Sequence, residues 1–306
     1  MKKLFLSILV ASTCLATSCE TKKDPKSTTV DSTKVKVEQT TSKGKLSPEV
    51  IKNIIESIPS PAEISFLIKD SGVKYDQTMM NSADNVGNYS TDYKKALNLG
   101  IYSTDLGYAN IYEQSQDAIT LVTAVRDMAD GLNIVKFFDF ENIRKLAASG
   151  SENLDKLLEE TTINLQKMND HLQEEDRTDM TVLVLTGGWI ESLYLTCKVA
   201  KVKTSEELNS RIAEQKITLD QIILLVEHYE ASPKMKTLRE ELVALDKIYA
   251  GIEVKTIPGE SKKVVNAGTG TVSIEQTGTT EVKMKPTDLD AILAQVSLIR
   301  DNIIKK

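Results

Sequence analysis

Apolar residues recur every three or four positions along most of the chain after residue 46, which is the pattern of amphipathic helices. Residues 154–168, with leucines at 154, 157, 158 and 165, are one example. Several helix starts are marked by a serine or threonine that is followed by proline, by an acidic residue or by glutamine. These starts are Ser47-Pro48, Ser90-Thr91, Ser115, Thr204-Ser205 and Ser232-Pro233. The pattern therefore predicts an all-α fold over 47–306, a multi-helix bundle of about ten helices.

One segment interrupts the helical pattern. Valine, threonine and glycine are dense between Lys262 and Met284, a composition that favours strands and turns over helix. We expect a small β-hairpin or a loop insertion near 262–284. A last helix is predicted from Pro286 onward.

The segment 180–199 is apolar around the whole circumference of a helix, which predicts a central, buried helix. A membrane-spanning helix is the alternative, although Glu191 at its middle disfavours it. Gly187 and Gly188 share the side of Glu191 and are expected to leave room there for a side chain or a ligand.

A tyrosine-rich helix is predicted within residues 88–114. Small residues form a strip along it that would let another helix approach closely: Ala96, Gly100, Ser103 and Gly107. Beside the strip runs a polar stripe, in which the carboxylate of Asp105 needs a partner if the helix is buried.

These two helices supply a candidate ligand pocket, provided that Asp105 and Glu191 face one another. Its members would be Asn98, Tyr102, Asp105, Tyr108, Tyr112, Glu191 and Tyr194. Two interpretations are open. Asp105 either has a raised pKa and binds a cation or polar ligand, or it accepts hydrogen bonds from neighbouring protein groups and fixes the packing.

The N-terminus has the features of a secretory signal: two lysines, an apolar run from Leu4 to Leu15, and small residues before Cys19. It resembles the lipobox of bacterial lipoproteins, with Ala16 where the apolar residue usually stands. The resemblance implies a signal peptide over 1–18 and lipidation of Cys19, with fatty acids such as palmitate. Residues 19–46 then form a flexible, lysine-rich tether. Cys14 is the weaker lipidation candidate.

Signal, tether and helical body together resemble the helical lipoproteins of Bacteroidota-type bacteria whose activity is not established. The block Tyr93 to Tyr112, with its A-L-N-L-G-I-Y core, is similar to a motif of one such family. The resemblance implies a membrane-anchored protein of the cell envelope, expected at the outer membrane on either its periplasmic or its external face. The resemblance brings no established activity with it.

Net charge and sequence motifs limit the partners, metals and cofactors that this chain is expected to bind. The net charge is −6 at pH 7 and the tether is basic, so the body is more acidic than the whole chain and nucleic acid is not an expected partner. The two histidines, His171 and His228, lie in separate predicted helices without metal-ligand spacing. No nucleotide-binding or nucleophile motif is present, so we predict no metal and no cofactor. Cys197 is expected to be a core residue.

The leading functional hypothesis is a lipid-anchored binding or scaffolding module rather than an enzyme. Its partners would be the membrane, through the N-terminal lipid, and a small molecule or an envelope protein. The alternative is a carboxylate-based hydrolase or lyase, with Asp105 or Glu191 as general acid or base and tyrosines that orient the substrate.

Overall fold

The computed structural model describes residues 46–58, 68–149, 153–203, 205–257, 261–265, 272–276 and 279–305. These residues form nine α-helices: α1 (Pro48–Ser57), α2 (Asp92–Ile111), α3 (Ser115–Gly131), α4 (Phe140–Ala148), α5 (Leu154–Glu174), α6 (Thr178–Val202), α7 (Glu206–His228), α8 (Pro233–Tyr249) and α9 (Pro286–Ile304). Short 3-10 helices lie at Gln77–Met79, Ala83–Asn88 and Val135–Phe137. The predicted all-α class and helix bundle are confirmed. The predicted signal peptide, Cys19 and nearly all of the tether lie outside the described residues.

Local capping explains where several of these helices begin. The side chains of Ser47, Thr91 and Ser205 each accept a hydrogen bond from a backbone N–H of the first helical turn, as predicted for these positions. Ser232 precedes Pro233 at the first position of α8, also as predicted, but makes no side-chain cap bond. Ser115 is the first residue of α3 rather than its cap, because the cap position is Gln114.

Helix α6 is the centre of the bundle, since α2, α5, α7 and α9 all pack against it. It is long and apolar enough to span a membrane, and within the described residues it is the one helix that is. Protein buries 83 % of its most apolar window, which is the environment of a core helix. The prediction of a central, buried helix is therefore confirmed.

Helices α2 and α6 make the most extensive contact of the bundle, and glycines set its closeness. A Cβ atom on Gly100 would lie 2.0 Å from the backbone oxygen of Val184, and one on Gly187 would lie 2.0 Å from that of Leu97. Thr104 adds a hydrogen bond of 3.2 Å to the backbone oxygen of Gly188. The predicted close approach at Gly100 is thus confirmed. The room expected beside Gly187 is filled by the backbone of α2.

The segment between α8 and α9 contains four strands: β1 (Glu253–Ile257), β2 (Ser261–Val265), β3 (Val272–Gln276) and β4 (Thr279–Lys283). β1 pairs with β4, and β2 pairs with β3 in antiparallel register, Ser261 opposite Gln276 and Val265 opposite Val272. The single small hairpin predicted for 262–284 is therefore not supported in that form. The first strand, β1, begins at Glu253, soon after the end of α8 and before the predicted boundary at Lys262. Strands β2 and β3 belong to a different unit of the chain from the helices.

Candidate functional site

The two acids singled out in the sequence meet in the interior of the helical body. Asp105 on α2 and Glu191 on α6 are both completely buried, and their carboxyl groups lie within hydrogen-bonding reach of each other. Arg300 on α9 completes the cluster. Its Nη2 and Nε donate to the two carboxylate oxygens of Glu191, at 2.8 and 2.5 Å. One guanidinium therefore neutralises a bidentate carboxylate in a site without water access.

The cluster holds two carboxyl groups but one cation, which decides the protonation of Asp105. Its Oδ2 accepts a hydrogen bond of 3.0 Å from the backbone N–H of Asn81, whereas no donor among the described residues binds Oδ1. Burial and the charge of Glu191 raise the pKa of Asp105 well above its usual range, and the opposing effect of Arg300 is smaller. A neutral Asp105 can donate its proton to Glu191. The three side chains then have no net charge.

Arg300 also connects the cluster to its surroundings. Nη2 donates a second hydrogen bond, of 3.0 Å, to the backbone oxygen of Met79. The guanidinium lies over the ring of Tyr194, 4.4 Å from the ring centroid. Burial alone would lower the pKa of Arg300, but the charge of Glu191 and the hydrogen bonds to it raise the value above that of free arginine. Arg300 is therefore charged at every physiological pH.

Three tyrosines, two on α2 and one at its C-cap, bind an upstream segment of the same chain, residues 71–91, which we call the strap. Tyr112 donates to the backbone oxygen of Val73 at 2.7 Å, and Tyr108 accepts from the backbone N–H of Asp76 at 3.1 Å. Tyr102 donates to the backbone oxygen of Ser82 at 2.9 Å. The strap therefore runs antiparallel to α2, with one contact per helical turn.

Asn81 is the centre of the strap. Its side-chain amide donates to Asn98 Oδ1 at 3.1 Å and to the hydroxyl of Tyr89 at 3.0 Å, while its backbone N–H binds Asp105. Asn81 is 2 % exposed, so these bonds replace hydration that burial removed. Of the seven residues of the predicted pocket, Asp105, Glu191 and Tyr194 gather at Arg300, whereas Asn98 and Tyr112 lie about 20 Å apart along α2. Their polar groups bind the strap, α2 itself and Arg300, all of which are protein.

Sequence reasoning missed Arg300 and Asn81. Arg300 lies four residues after Val296 and eight after Ile292, both of them fully buried, so it continues the apolar face of α9. An arginine at such a position signals a buried acid elsewhere. Asn81 had no comparable signal, because the strap lacks helical or strand periodicity.

The single cysteine of the helical body has no exposed or reactive thiol. Cys197 is fully buried, and burial raises the pKa of its thiol, which removes its nucleophilic form. Across the part of the chain that the structure describes, no three histidine, cysteine or acidic residues are grouped so that they could hold a metal ion.

Comparison of the chain with protein-family models, with curated proteins and with solved structures gives no match.

Proposed function

We propose that the protein is a lipid-anchored binding or scaffolding module of the cell envelope and that its helical body does not catalyse a reaction. The observation that carries the second part is the complete burial of Asp105 and Glu191. A general acid or base must reach the reacting atoms of a substrate. The carboxylate of Glu191 is instead bound to Arg300, and the carboxyl group of Asp105 to Glu191 and to the strap.

The hydrolase or lyase alternative would require the strap to leave α2. Departure of the strap would break the hydrogen bonds of Tyr102, Tyr112 and Asp105 at the same time. Each hydrogen bond contributes about 1 kcal/mol, and each buried polar group left unpaired costs about 1–3 kcal/mol. Departure of the strap from α2 therefore has a large unfavourable free energy, which argues against the hydrolase or lyase alternative.

The anchoring part rests on the lipobox resemblance at Cys19, and it is tested by metabolic labelling of the full chain with an alkyne-bearing fatty acid. We expect the membrane fraction to hold labelled protein. Cys19→Ser should abolish the label, whereas Cys14→Ser, the matched control, should retain it. Label that persists in Cys19→Ser would contradict the proposed anchor.

The binding part is tested on the full chain purified from envelopes, by comparison of its native and denatured masses. We expect extra mass in the native spectrum, from a bound small molecule or protein, that is lost on denaturation. Turnover of a small molecule that disappears in a folded Asp105→Asn variant would overturn the non-catalytic assignment.

A further inference from the structure

The two-stranded sheet of β2 and β3 has an edge that is suited to a third strand. Among the residues that the structure describes, β3 has one hydrogen-bonded neighbour, β2, so no described strand lies on its other edge. A sheet of two strands is marginally stable in water, and a third strand is one way to stabilise it. The edge of β3 is therefore a surface for strand addition.

The two outer edges of this sheet differ in charge. β2 contains Lys262 and Lys263 and no acid, and lysine is a residue that protects an edge strand from further pairing. β3 contains Glu275 as its one charged residue and has neither lysine nor proline. A basic segment is therefore repelled by β2 and attracted to β3.

The predicted tether contains a segment of matching pattern and charge, residues 33–37. Val35 and Val37 alternate there with Lys34 and Lys36. Strict alternation of apolar and polar residues is typical of a β-strand that has one apolar face. The segment is thus a basic candidate strand, and its charge selects β3 over β2.

Charge also selects the direction of pairing. In one antiparallel register, apolar residues are opposed on one face of the sheet and opposite charges on the other. The opposed pairs are Val35 with Ile274, Val37 with Val272, and Lys34 with Glu275. In a parallel arrangement with the valines matched to the same strand, Glu38 would instead lie beside Glu275. Since like charges on neighbouring strands destabilise a sheet, the antiparallel register is favoured.

We propose that residues 33–37 add to β3 as a third, antiparallel strand, with Val35 opposite Ile274. Because the segment is part of the same chain, this pairing is intramolecular and is favoured over pairing with a separate molecule. Residues 19–32 are then the part of the tether that joins Cys19 to the sheet. The inference goes beyond the proposed function and does not depend on lipidation of Cys19.

The test is formation of a disulfide between the two strands in the full chain. Cys14→Ser and Cys19→Ser leave Cys197 as the only cysteine, and its thiol is fully buried. Opposed residues of antiparallel strands have Cα atoms about 4.5–5.5 Å apart, a distance that a disulfide spans. With Val35→Cys and Ile274→Cys added, mild oxidation should therefore consume both new thiols and join the two positions within one chain, as identified by peptide mass mapping.

Lys36→Cys with Ile274→Cys is the matched control. Position 36 is next to position 35 but lies on the opposite face of the proposed strand, so this pair should keep its free thiols. Ile274→Cys alone tests the competing occupant, a second copy of this chain whose β3 pairs with the first. We expect no covalent dimer of that variant on oxidation.

Charge reversal tests the register independently. Lys34→Glu sets two acids opposite each other and should slow disulfide formation between positions 35 and 274 roughly two- to fivefold, the value of one cross-strand pair. Lys43→Glu changes the net charge equally but lies outside the paired segment. It should therefore leave the rate unchanged.

Unfolding followed by the fluorescence of Trp189 verifies that the helical body of each variant is folded. Four results would overturn the proposal: intact thiols in the chain with Val35→Cys and Ile274→Cys, equal oxidation of the control with Lys36→Cys, a covalent dimer of Ile274→Cys, or equal rates with Lys34→Glu and Lys43→Glu. Loss of the fatty-acid label or of native-state extra mass concerns the proposed function, so the two failures are distinguishable.

Discussion

The contact between α2 and α6 predicts that a single methyl group at Gly187 destabilises the whole body. In Gly187→Ala, the new Cβ would lie 2.0 Å from the backbone oxygen of Leu97 and 2.8 Å from its carbonyl carbon. Ordinary carbon–oxygen contacts are near 3.3 Å, so the two helices must separate by about 1.3 Å. The obstructing atoms are helix backbone and cannot rotate away.

The magnitude follows from this separation. A gap of about 1 Å removes up to half of the dispersion energy of each contact across it, and overpacked core substitutions cost about 1–3 kcal/mol or more. Because α2 and α6 share the most extensive contact in the bundle, we expect a gross cost of about 3–5 kcal/mol. The better helix propensity of alanine returns about 1 kcal/mol. Gly187→Ala should therefore lose about 2–4 kcal/mol of unfolding free energy.

The assay is urea unfolding followed by fluorescence of Trp189, the single tryptophan of the chain, which is 4 % exposed. Gly87→Ala is the matched control, since a Cβ at Gly87 would meet nothing within 4 Å and should change stability by less than about 0.5 kcal/mol. Gly100→Ala should resemble Gly187→Ala. The double variant should lose less than the sum, because one separation relieves both clashes. Equal stability of Gly187→Ala and Gly87→Ala would refute the reasoning.

The ionic cluster and the strap give three further predictions. Arg300→Met leaves Glu191 buried without its cation and should lower the free energy of unfolding by about 3–5 kcal/mol. In a double-mutant cycle, the further substitution Glu191→Met should recover part of this loss. Additive losses would argue against coupling between the two residues. Burial and the charge of Glu191 raise the pKa of Asp105 in the folded state, so the contribution of Asp105 to stability falls by about 1.4 kcal/mol per pH unit from about pH 4 up to its folded-state pKa. Asp105→Asn cannot titrate at this position, so its free energy of unfolding relative to wild type should rise between pH 4 and 7, as measured by urea unfolding. A difference between the two proteins that does not change with pH would show that Asp105 is ionised in the folded state. Tyr112→Phe leaves the oxygen of Val73 unpaired and should cost about 1 kcal/mol and accelerate amide exchange in the strap, with unchanged exchange as the contrary result.

The helices could be predicted from the sequence because their signals are local. Capping residues such as Thr91 and Ser205 act within one turn, and the small residue Gly100 marks a close contact whatever the partner helix is. The burial of Asp105 and Glu191 followed from the apolar character of their helices.

The occupant of the predicted pocket could not be derived in the same way. The strap has no periodic pattern, and its hydrogen bonds to α2 use backbone groups at Val73, Asp76 and Ser82, whose sequence identity carries no information about partners. Arg300 is 109 residues from Glu191, and only the folded topology brings the two together. Long-range pairing of this kind is decided by packing.

The position of Arg300 has a consequence for the order in which the body is completed. Its partners Met79 and Glu191 precede it by 221 and 109 residues. Until α9 arrives, closure of α2 on α6 would bury a carboxylate without a cation, which is strongly unfavourable. A chain that lacks α9 would therefore bury Glu191 without its counter-ion on closing its core.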